Sequence, residues 1–306
     1  MIEPVSKGHR TAFVAIVGRP STGKSTLLNY ACGHKVSIIS AVPQTTRNRI
    51  RGIVNRPGGQ LVFVDTPGFH DSDRRFNQHM RGLIEETIRD VELILYMLDA
   101  SRPIGAEEAT LAAAVARHID AVPTVVAINK TDLAGSQAVE SAAAWLTERL
   151  PGCPQFRISA ASGDGIDPLL TALVDLAPEG EPMYPRDLYT DQLPEFRVSE
   201  IIREKAINAT SQEVPHSLYV EVADMEVREA EHEGPGLLWI RAFLLVERES
   251  QKGIVVGKGG AKIKKIRVEA QKEISGLFPY RIHLDLRVKV DPRWRHKEGL
   301  LQRLVN

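Results

Sequence analysis

The chain has 306 residues, with 39 Lys or Arg against 39 Asp or Glu, so its formal net charge is zero. Charged residues at 25% and hydrophobic residues at 43% are ordinary values for globular proteins, which excludes a disordered or fibrous chain. No apolar run reaches the roughly 18 residues of a membrane-spanning helix, and the first ten residues lack the apolar segment of a secretory signal, so we expect neither.

Residues 11–177 alternate β-rich runs with amphipathic helical patterns. The predicted strands are 11–17, 60–64, 93–98, 124–129 and 155–159, and the predicted helices are 24–32, 76–90, 107–118, 136–150 and 167–176. This alternation predicts an α/β domain with a mostly parallel sheet that carries helices on both faces. The run 50–55, next to the turn Pro57-Gly58-Gly59, predicts an added antiparallel strand.

A proline-rich stretch divides the chain. Four prolines fall within 178–194 without sustained hydrophobic periodicity, so we expect a linker at 179–195 between a first domain, 1–178, and a second, 196–306. The patterns of the second domain predict, in order, a helix at 197–209, strands at 217–228 and 237–249, a basic helical stretch and a strand at 281–290. This α-β-β-α-β order predicts a smaller α+β domain.

The segment GRPSTGKS follows the first predicted strand and opens the first helix, the context in which G-x-x-x-x-G-K-[ST] binds phosphates. Glycines let main-chain N–H groups approach phosphate oxygens, and the helix N-terminus adds a positive dipole. We expect Lys24 to contact the β- and γ-phosphates and Ser25 to ligate Mg²⁺. The predicted nucleotide contacts of this segment are Gly18, Arg19, Pro20, Ser21, Thr22, Gly23, Lys24, Ser25 and Thr26.

The segment NKTD, after a predicted buried strand, indicates the base. A carboxylate at Asp132 can accept two hydrogen bonds from the guanine N1–H and N2–H₂ groups, whereas a buried carboxylate facing adenine would stay unpaired. Lys130 can lie over the base plane, and Asn129 can tie this segment to the phosphate loop. Ser159 and Ala160, after the fifth predicted strand, lie where a main-chain N–H can contact guanine O6. GTP is therefore the predicted nucleotide.

The segment DTPG follows the strand predicted at 60–64. We expect Asp65 to hold Mg²⁺ through a water molecule and the Gly68 N–H to meet the γ-phosphate, with Thr66 and Pro67 between them. The next residue is Phe69, where Ras-type enzymes carry a glutamine that orients the attacking water. An aromatic side chain cannot do this by hydrogen bonding, so intrinsic hydrolysis should be slow, and no catalytic residue is assigned.

Residues 251–297 hold thirteen Lys or Arg against four Asp or Glu, which favours a nucleic-acid partner. Within them the motif G-x-x-G occurs as GKGG at 257–260. A glycine turn between two helices lets an RNA backbone approach closely, and KH domains clamp about four nucleotides in this way. The predicted RNA contacts are Gly257, Lys258, Gly259, Gly260, Lys262, Lys264 and Lys265.

The motifs GRPSTGKS, QTTR, DTPG, NKTD and SA, in this order, resemble the translation-factor-related class of GTPases. The run that begins QTTR at residue 44 resembles the switch region of the Era family, and the second domain resembles a type II KH domain, so the resemblance covers nearly the whole chain. It implies a Ras-like domain that hydrolyses GTP to GDP and phosphate, followed by a KH domain. In that family a switch threonine completes the Mg²⁺ shell, which implies Thr46, with Thr45 as the alternative.

The resemblance also implies partners. It implies single-stranded ribosomal RNA near the 3′ end of the small-subunit (16S) RNA, and a role in assembly of the 30S subunit. Two cysteines favour the reducing cytoplasm, and family members also associate peripherally with the inner face of the cell membrane. We expect a monomer. Relatives often carry asparagine at the position of Ser21, where it helps to coordinate K⁺, so this departure argues against potassium-stimulated hydrolysis.

Two other classes of function stay open on the sequence alone. One is an RNA-binding module with a purely structural nucleotide domain, against which the intact Lys24, Ser25, Asp65 and Asp132 argue. The other is a P-loop ATPase or kinase, against which NKTD argues. Nucleotide turnover and the relative affinities for GTP and ATP distinguish these alternatives.

Overall fold

The computed structural model describes residues 8–39, 50–65, 90–210, 218–229 and 235–294. The described residues form two compact units, one up to Asp191 and one from Gln192 onward. None of the helices described is both long enough and apolar enough to cross a membrane.

The first unit is an α/β domain built on one six-stranded sheet. Its strands are β1 (Arg10–Val17), β2 (Ile50–Arg56), β3 (Gly59–Asp65), β4 (Leu93–Asp99), β5 (Thr124–Asn129) and β6 (Gln155–Arg157). They lie in the order β2-β3-β1-β4-β5-β6, and of these described strands only β2 runs antiparallel to its neighbour. The predicted mostly parallel sheet with an added antiparallel strand is therefore confirmed.

Four helices of this unit are described: α1 (Lys24–Cys32), α2 (Ala106–Ala116), α3 (Ser136–Arg149) and α4 (Ile166–Leu176). The predicted helix 76–90 lies, apart from Asp90, outside the described residues. Every residue of β4 and β5 is buried, as expected for parallel strands covered on both faces. Successive residues of β1 belong to two different hydrophobic cores: Ile16 lies in the core that includes Leu27, and Val17 lies in the core that includes Leu111.

The beginning of the proline-rich stretch packs on the first unit. Gln60, fully buried in β3, accepts hydrogen bonds from the main-chain N–H groups of Met183 at 2.8 Å and Tyr184 at 3.0 Å. The N–H of Ile53 in β2 donates to the carbonyl of Tyr189 at 2.9 Å. These bonds hold the stretch along the β2–β3 hairpin. The division after residue 191 accordingly falls inside the linker predicted at 179–195.

The second unit is an α+β domain with a three-stranded sheet. Its elements are α5 (Pro194–Ala209), β7 (Tyr219–Arg228), β8 (Leu237–Val246), α6 (Glu249–Val256), α7 (Ala261–Ile274) and β9 (Arg281–Val290). The basic helical stretch, counted once in the predicted α-β-β-α-β order, comprises the two helices α6 and α7 with a short turn between them, so the element order is α-β-β-α-α-β. The central strand β8 is antiparallel to β7 and parallel to β9, and alternate residues of β8 from Leu238 to Leu244 are buried.

Candidate nucleotide site and basic glycine turn

The loop between β1 and α1 follows a main-chain path that requires glycine. A Cβ atom at Gly18 would lie 2.5 Å from the carbonyl oxygen of Met97 in β4. Ser21 has a φ of 63° and Gly23 a φ of 101°, so the loop passes twice through the left-handed region. A Cβ atom at Gly23 would lie 2.3 Å from Nδ2 of Asn129, which excludes any larger residue there.

The Lys24 ammonium lies against this loop. Its Nζ donates to the carbonyls of Gly18 at 2.8 Å and Arg19 at 3.0 Å, and the residue is 8% exposed. Helix α1 begins at Lys24, and its N-cap residue is Gly23, which has no side chain to cap the first turn. A cation and the N–H groups of a helix N-terminus therefore share one loop, an arrangement that suits phosphate groups.

Asn129 joins three segments that are distant in sequence. Its Nδ2 donates to the main-chain carbonyl of Thr22 at 2.7 Å, and its Oδ1 accepts the N–H of Ala160 at 2.9 Å. The Asn129 side chain is buried at the carboxyl end of β5. The phosphate loop, NKTD and SA segments therefore meet at the edge of the sheet where the parallel strands end, the usual position of ligand sites in such sheets.

Lys130 is held by a residue that the sequence reasoning missed. Its main chain has a φ of 64°, and its Nζ lies 2.7 Å from a carboxylate oxygen of Asp99, which ends β4. Asp99 also accepts the N–H and hydroxyl of Ser101 at 3.0 and 2.6 Å. Burial alone would raise the pKa of Asp99, but the bonds from Lys130 and Ser101 hold it below its ordinary value. Its position at the end of a strand, like that of Asp65, is the signal that could have identified it.

The remaining base-reading residues divide by exposure. Ser159 and Ala160 are buried, whereas Asp132 is exposed. The sequence analysis expected a buried carboxylate at Asp132, but the described part of the protein leaves this side chain exposed. The neighbouring Thr131 anchors the loop instead, because its hydroxyl donates to the carbonyl of Ile158 at 3.0 Å.

The predicted metal ligands are only partly within the described residues. Ser25 lies in the first turn of α1, and the main chain of Asp65, which ends β3, pairs with Ile16 next to the phosphate loop. Hydroxyl and carboxylate oxygens are ligands that suit Mg²⁺, so these residues fit that ion. The predicted site residues outside the described part of the chain are Thr45, Thr46, Thr66, Pro67, Gly68 and Phe69.

In the second unit a glycine turn separates α6 from α7. Gly257, Gly259 and Gly260 have φ values of 72°, 59° and 78°, and residues 258–260 form a single 3₁₀ turn. A Cβ atom at Gly257 would lie 2.8 Å from Cβ of Lys262, so the two helices approach closely at this point. The structure therefore has the glycine turn between two helices that the sequence predicts.

Basic side chains surround this turn. Lys258, Lys264 and Lys265 are exposed, and Lys262 is half-buried. The opposite face of α7 is buried through Ile266, Ala270 and Ile274. Because the apolar residues anchor α7 in the unit, Lys262, Lys264 and Lys265 project from a fixed helix, and Lys258 lies in the turn before it.

Two family descriptions match the chain, "50S ribosome-binding GTPase" over residues 13–130 and "KH domain" over residues 213–295. GTPase Era of Treponema denticola is 46% identical over 298 residues, which cover 95% of this chain and 98% of the relative. A crystal structure of an Aquifex aeolicus Era variant bound to GDP and AlF₄⁻ superposes with a TM-score of 0.82 at 31% identity, covering 96% of this chain and 98% of that one. A structure of Era with MgGDPNP and nucleotides 1506–1542 of 16S ribosomal RNA also has a TM-score of 0.82, at 32% identity and with the same coverage.

Proposed function

The chain belongs to the Era family of GTPases and hydrolyses GTP, and from that premise we propose which of its residues bind the nucleotide. They are the phosphate loop, Asp65 to Gly68, Asn129 with Lys130 and Asp132, and Ser159 with Ala160. The observation that carries this proposal is the pair of hydrogen bonds that Asn129 makes, donating to the Thr22 carbonyl and accepting from the Ala160 N–H. This pair gathers phosphate-binding and base-binding segments around one buried side chain.

Each group has a distinct task in this proposal. Lys24 neutralises charge on the β- and γ-phosphates, and the main-chain N–H groups at the start of α1 donate hydrogen bonds to phosphate oxygens. Ser25, Thr46 and Asp65, the last through water, would hold Mg²⁺, which supplies further charge neutralisation on the phosphates. Because Phe69 follows DTPG, orientation of the attacking water falls to main-chain groups, to Mg²⁺ or to a partner, and intrinsic turnover is slow.

The test compares Lys24→Ala and Ser25→Ala with Ser136→Ala, which alters the first turn of a different helix in the same unit. We expect the first two to reduce GTP hydrolysis sharply and Ser136→Ala to retain it, with GTP binding preferred over ATP in the parent protein. Unchanged turnover in folded Lys24→Ala would contradict the assignment of the loop.

For the second unit we propose that the glycine turn and its lysines bind single-stranded RNA of the small ribosomal subunit near its 3′ end, in the course of 30S subunit assembly. The positive φ values of the turn and the exposed Lys258, Lys264 and Lys265 support this. So does the relative that was crystallised with nucleotides 1506–1542 of 16S ribosomal RNA.

The experiment measures the affinity of the full chain for an RNA with the 3′-terminal sequence of 16S ribosomal RNA, for a scrambled RNA of equal length and for a large-subunit fragment. We expect the first to bind most tightly. Equal affinity for all three would reduce the proposal to non-specific phosphate binding, and preference for the large-subunit fragment would contradict it.

We propose that the protein is a cytoplasmic monomer. We further propose that it associates peripherally with the inner face of the cell membrane, as members of the family do. Sedimentation of the purified chain tests the monomer. Flotation with vesicles that contain anionic lipid, with lipid-free protein as the control, tests the membrane association.

A further inference from the structure

Beneath the phosphate loop, the Arg19 side chain enters a buried acidic site. Its Nε lies 2.5 Å from Oε2 of Glu108 on α2, and the hydroxyl of Tyr96 on β4 donates to Oε1 of the same carboxylate. Glu108 and Tyr96 have no exposed surface, and the Arg19 side chain is 14% exposed. Among the described residues, the hydrogen bonds and ion pairs of Glu108 join it to Arg19 and Tyr96, and of these two only Arg19 belongs to a sequence motif.

A carboxylate at this depth is costly unless it is paired. Burial raises the pKa of Glu108, and the hydrogen bond from Tyr96 and the charge of Arg19 oppose that rise. Two partners lie against different oxygens of this carboxylate: the Tyr96 hydroxyl donates a hydrogen bond to Oε1, and the Arg19 guanidinium forms an ion pair with Oε2. Together these contacts hold Glu108 and the Arg19 guanidinium in place. If this position served only to pack α2 on the sheet, an apolar residue such as Leu111, one turn further along α2, would be sufficient.

Anchoring Arg19 also fixes the loop's main chain. The Arg19 carbonyl accepts hydrogen bonds from Lys24 Nζ at 3.0 Å and from the hydroxyl of Thr22 at 3.0 Å. Arg19 therefore has two roles: Glu108 holds its side chain, and its main-chain carbonyl accepts two of the hydrogen bonds that fold the loop. Displacement of Arg19 would move the ammonium of Lys24 and the strained turn at Ser21 together.

We propose that Glu108, oriented by Tyr96, is a positioning residue for nucleotide binding, because it holds Arg19 and thereby the geometry of the phosphate loop. This inference rests on the proposal that residues 18–25 bind the nucleotide phosphates. It assigns a role in the GTPase site to α2, an element that carries none of the motifs.

The experiment measures dissociation constants of a fluorescent GDP analogue for Glu108→Gln and Tyr96→Phe, in Mg²⁺ and in EDTA, together with thermal unfolding. We expect at least tenfold weaker binding for Glu108→Gln and a smaller, severalfold loss for Tyr96→Phe. The factor should be the same in Mg²⁺ and in EDTA because neither residue is a metal ligand, whereas the loss in Ser25→Ala should depend on Mg²⁺. The matched control is Glu140→Gln, which removes an exposed ion pair with Arg157 (2.8 Å) and should bind like the parent.

A double-mutant cycle distinguishes positioning from a general loss of stability. In an Arg19→Met background, Glu108→Gln should change nucleotide affinity by less than twofold, because the residue through which it acts is already absent. A tenfold loss in that background would overturn the proposal, as would folded Glu108→Gln and Tyr96→Phe proteins that bind within twofold of the parent.

Two further comparisons keep the result decisive. If Glu108→Gln does not fold, the conservative Tyr96→Phe decides, since it removes one hydroxyl and retains the ring. Lys24→Ala is measured in the same assay: normal binding by that variant would contradict the assignment of the loop itself, whereas weak binding by Lys24→Ala with normal binding by Glu108→Gln would contradict only the positioning role.

Discussion

The side-chain amide of Asn129 donates a 2.7 Å hydrogen bond to the main-chain carbonyl of Thr22, 107 residues earlier in the chain. The other end of the amide accepts the N–H of Ala160, so both of its functional groups have buried partners. One side chain thus connects the segment that reads the base to the loop that holds the phosphates, and Gly23 has no room for a side chain because Asn129 occupies that space.

The first prediction concerns this connection. Asn129→Ala should lower the free energy of unfolding by about 1–3 kcal/mol, because it leaves two buried main-chain groups without a partner, and should weaken GTP binding at least tenfold. Denaturant unfolding and GTP titration measure the two effects. The control is Thr171→Ala, which removes an exposed hydroxyl hydrogen bond to the Asp167 carbonyl (2.9 Å) and should do neither. Normal GTP affinity in Asn129→Ala would show that the connection serves stability alone.

The second prediction addresses the choice of base. Asp132→Asn should weaken GTP and admit xanthosine triphosphate, whose C2 oxygen suits an amide donor. A site built to pair with a donor on its ligand rejects an analogue that lacks this donor by a factor on the order of 10⁴. Because Asp132 is exposed, the substitution should leave thermal unfolding unchanged. Competition between GTP, ATP and xanthosine triphosphate checks the prediction, and equal affinity of the parent for ATP and GTP would contradict it.

The third prediction follows from the lowered pKa of Asp99. A carboxyl whose pKa is lower in the folded than in the unfolded protein stabilises the fold above the unfolded value, here 3.8, and this stabilisation is lost as the pH falls. Asp99→Asn should therefore reduce the loss of stability between about pH 5 and pH 2. It should also release Lys130 and weaken GTP. The control is Asp164→Asn, since Asp164 bonds a nearby serine in the same way but is exposed and has no lysine partner among the described contacts. If the stability of Asp99→Asn fell between about pH 5 and pH 2 as much as that of the parent protein, the stabilising role given to the Asp99–Lys130 ion pair would be wrong.

The fourth prediction concerns monovalent ions. Hydrolysis by the parent protein should be slow and insensitive to replacement of Na⁺ by K⁺, because Ser21 offers a hydroxyl where relatives offer an amide oxygen. Ser21→Asn should fold, since asparagine is among the residues that tolerate a φ near 63°, and should gain stimulation by K⁺. Phosphate release in the two salts at equal ionic strength measures this. A several-fold gain for the parent in K⁺ would contradict the prediction.

The fifth prediction concerns the glycine turn. The double change Lys258→Asp with Gly259→Asp should abolish binding of single-stranded RNA, because two carboxylates would repel the phosphates. A Cβ at Gly259 meets no atom within 4 Å, and aspartate tolerates its left-handed conformation, so the unit should still fold. GTP binding should be retained. RNA binding by the parent should weaken steeply with salt through counterion release.

The control for that change is Arg117→Asp, which reverses an exposed charge in the first unit and should leave RNA affinity intact. Equal losses in the two variants would mean that net charge alone, and not the turn, governs binding.

Much of the fold was predictable because it depends on periodicity. The uninterrupted apolar runs of β4 and β5 indicate strands covered on both faces, and the turn at Pro57-Gly58-Gly59 indicates the antiparallel hairpin. The phosphate loop and NKTD were equally visible, because their chemistry depends on residue types at short, fixed spacing. The bounds of irregular segments were less predictable, since the proline-rich stretch is held by Gln60, a polar residue that nothing in its local sequence marks as buried.

The sequence by itself therefore determined the order of strands and helices, the two-domain plan, and the loops where the ligands should bind. Only the tertiary structure decided how those loops are supported: Asn129 on Thr22, Lys130 on Asp99, and Arg19 on Glu108. The physical reason is that a buried polar pair forms between two segments that are far apart in sequence and come into contact only when the chain folds. Apolar residues recur with the period of a helix or strand, whereas a single Glu108 in an alanine-rich helix gains its meaning from the arginine that folding brings to it.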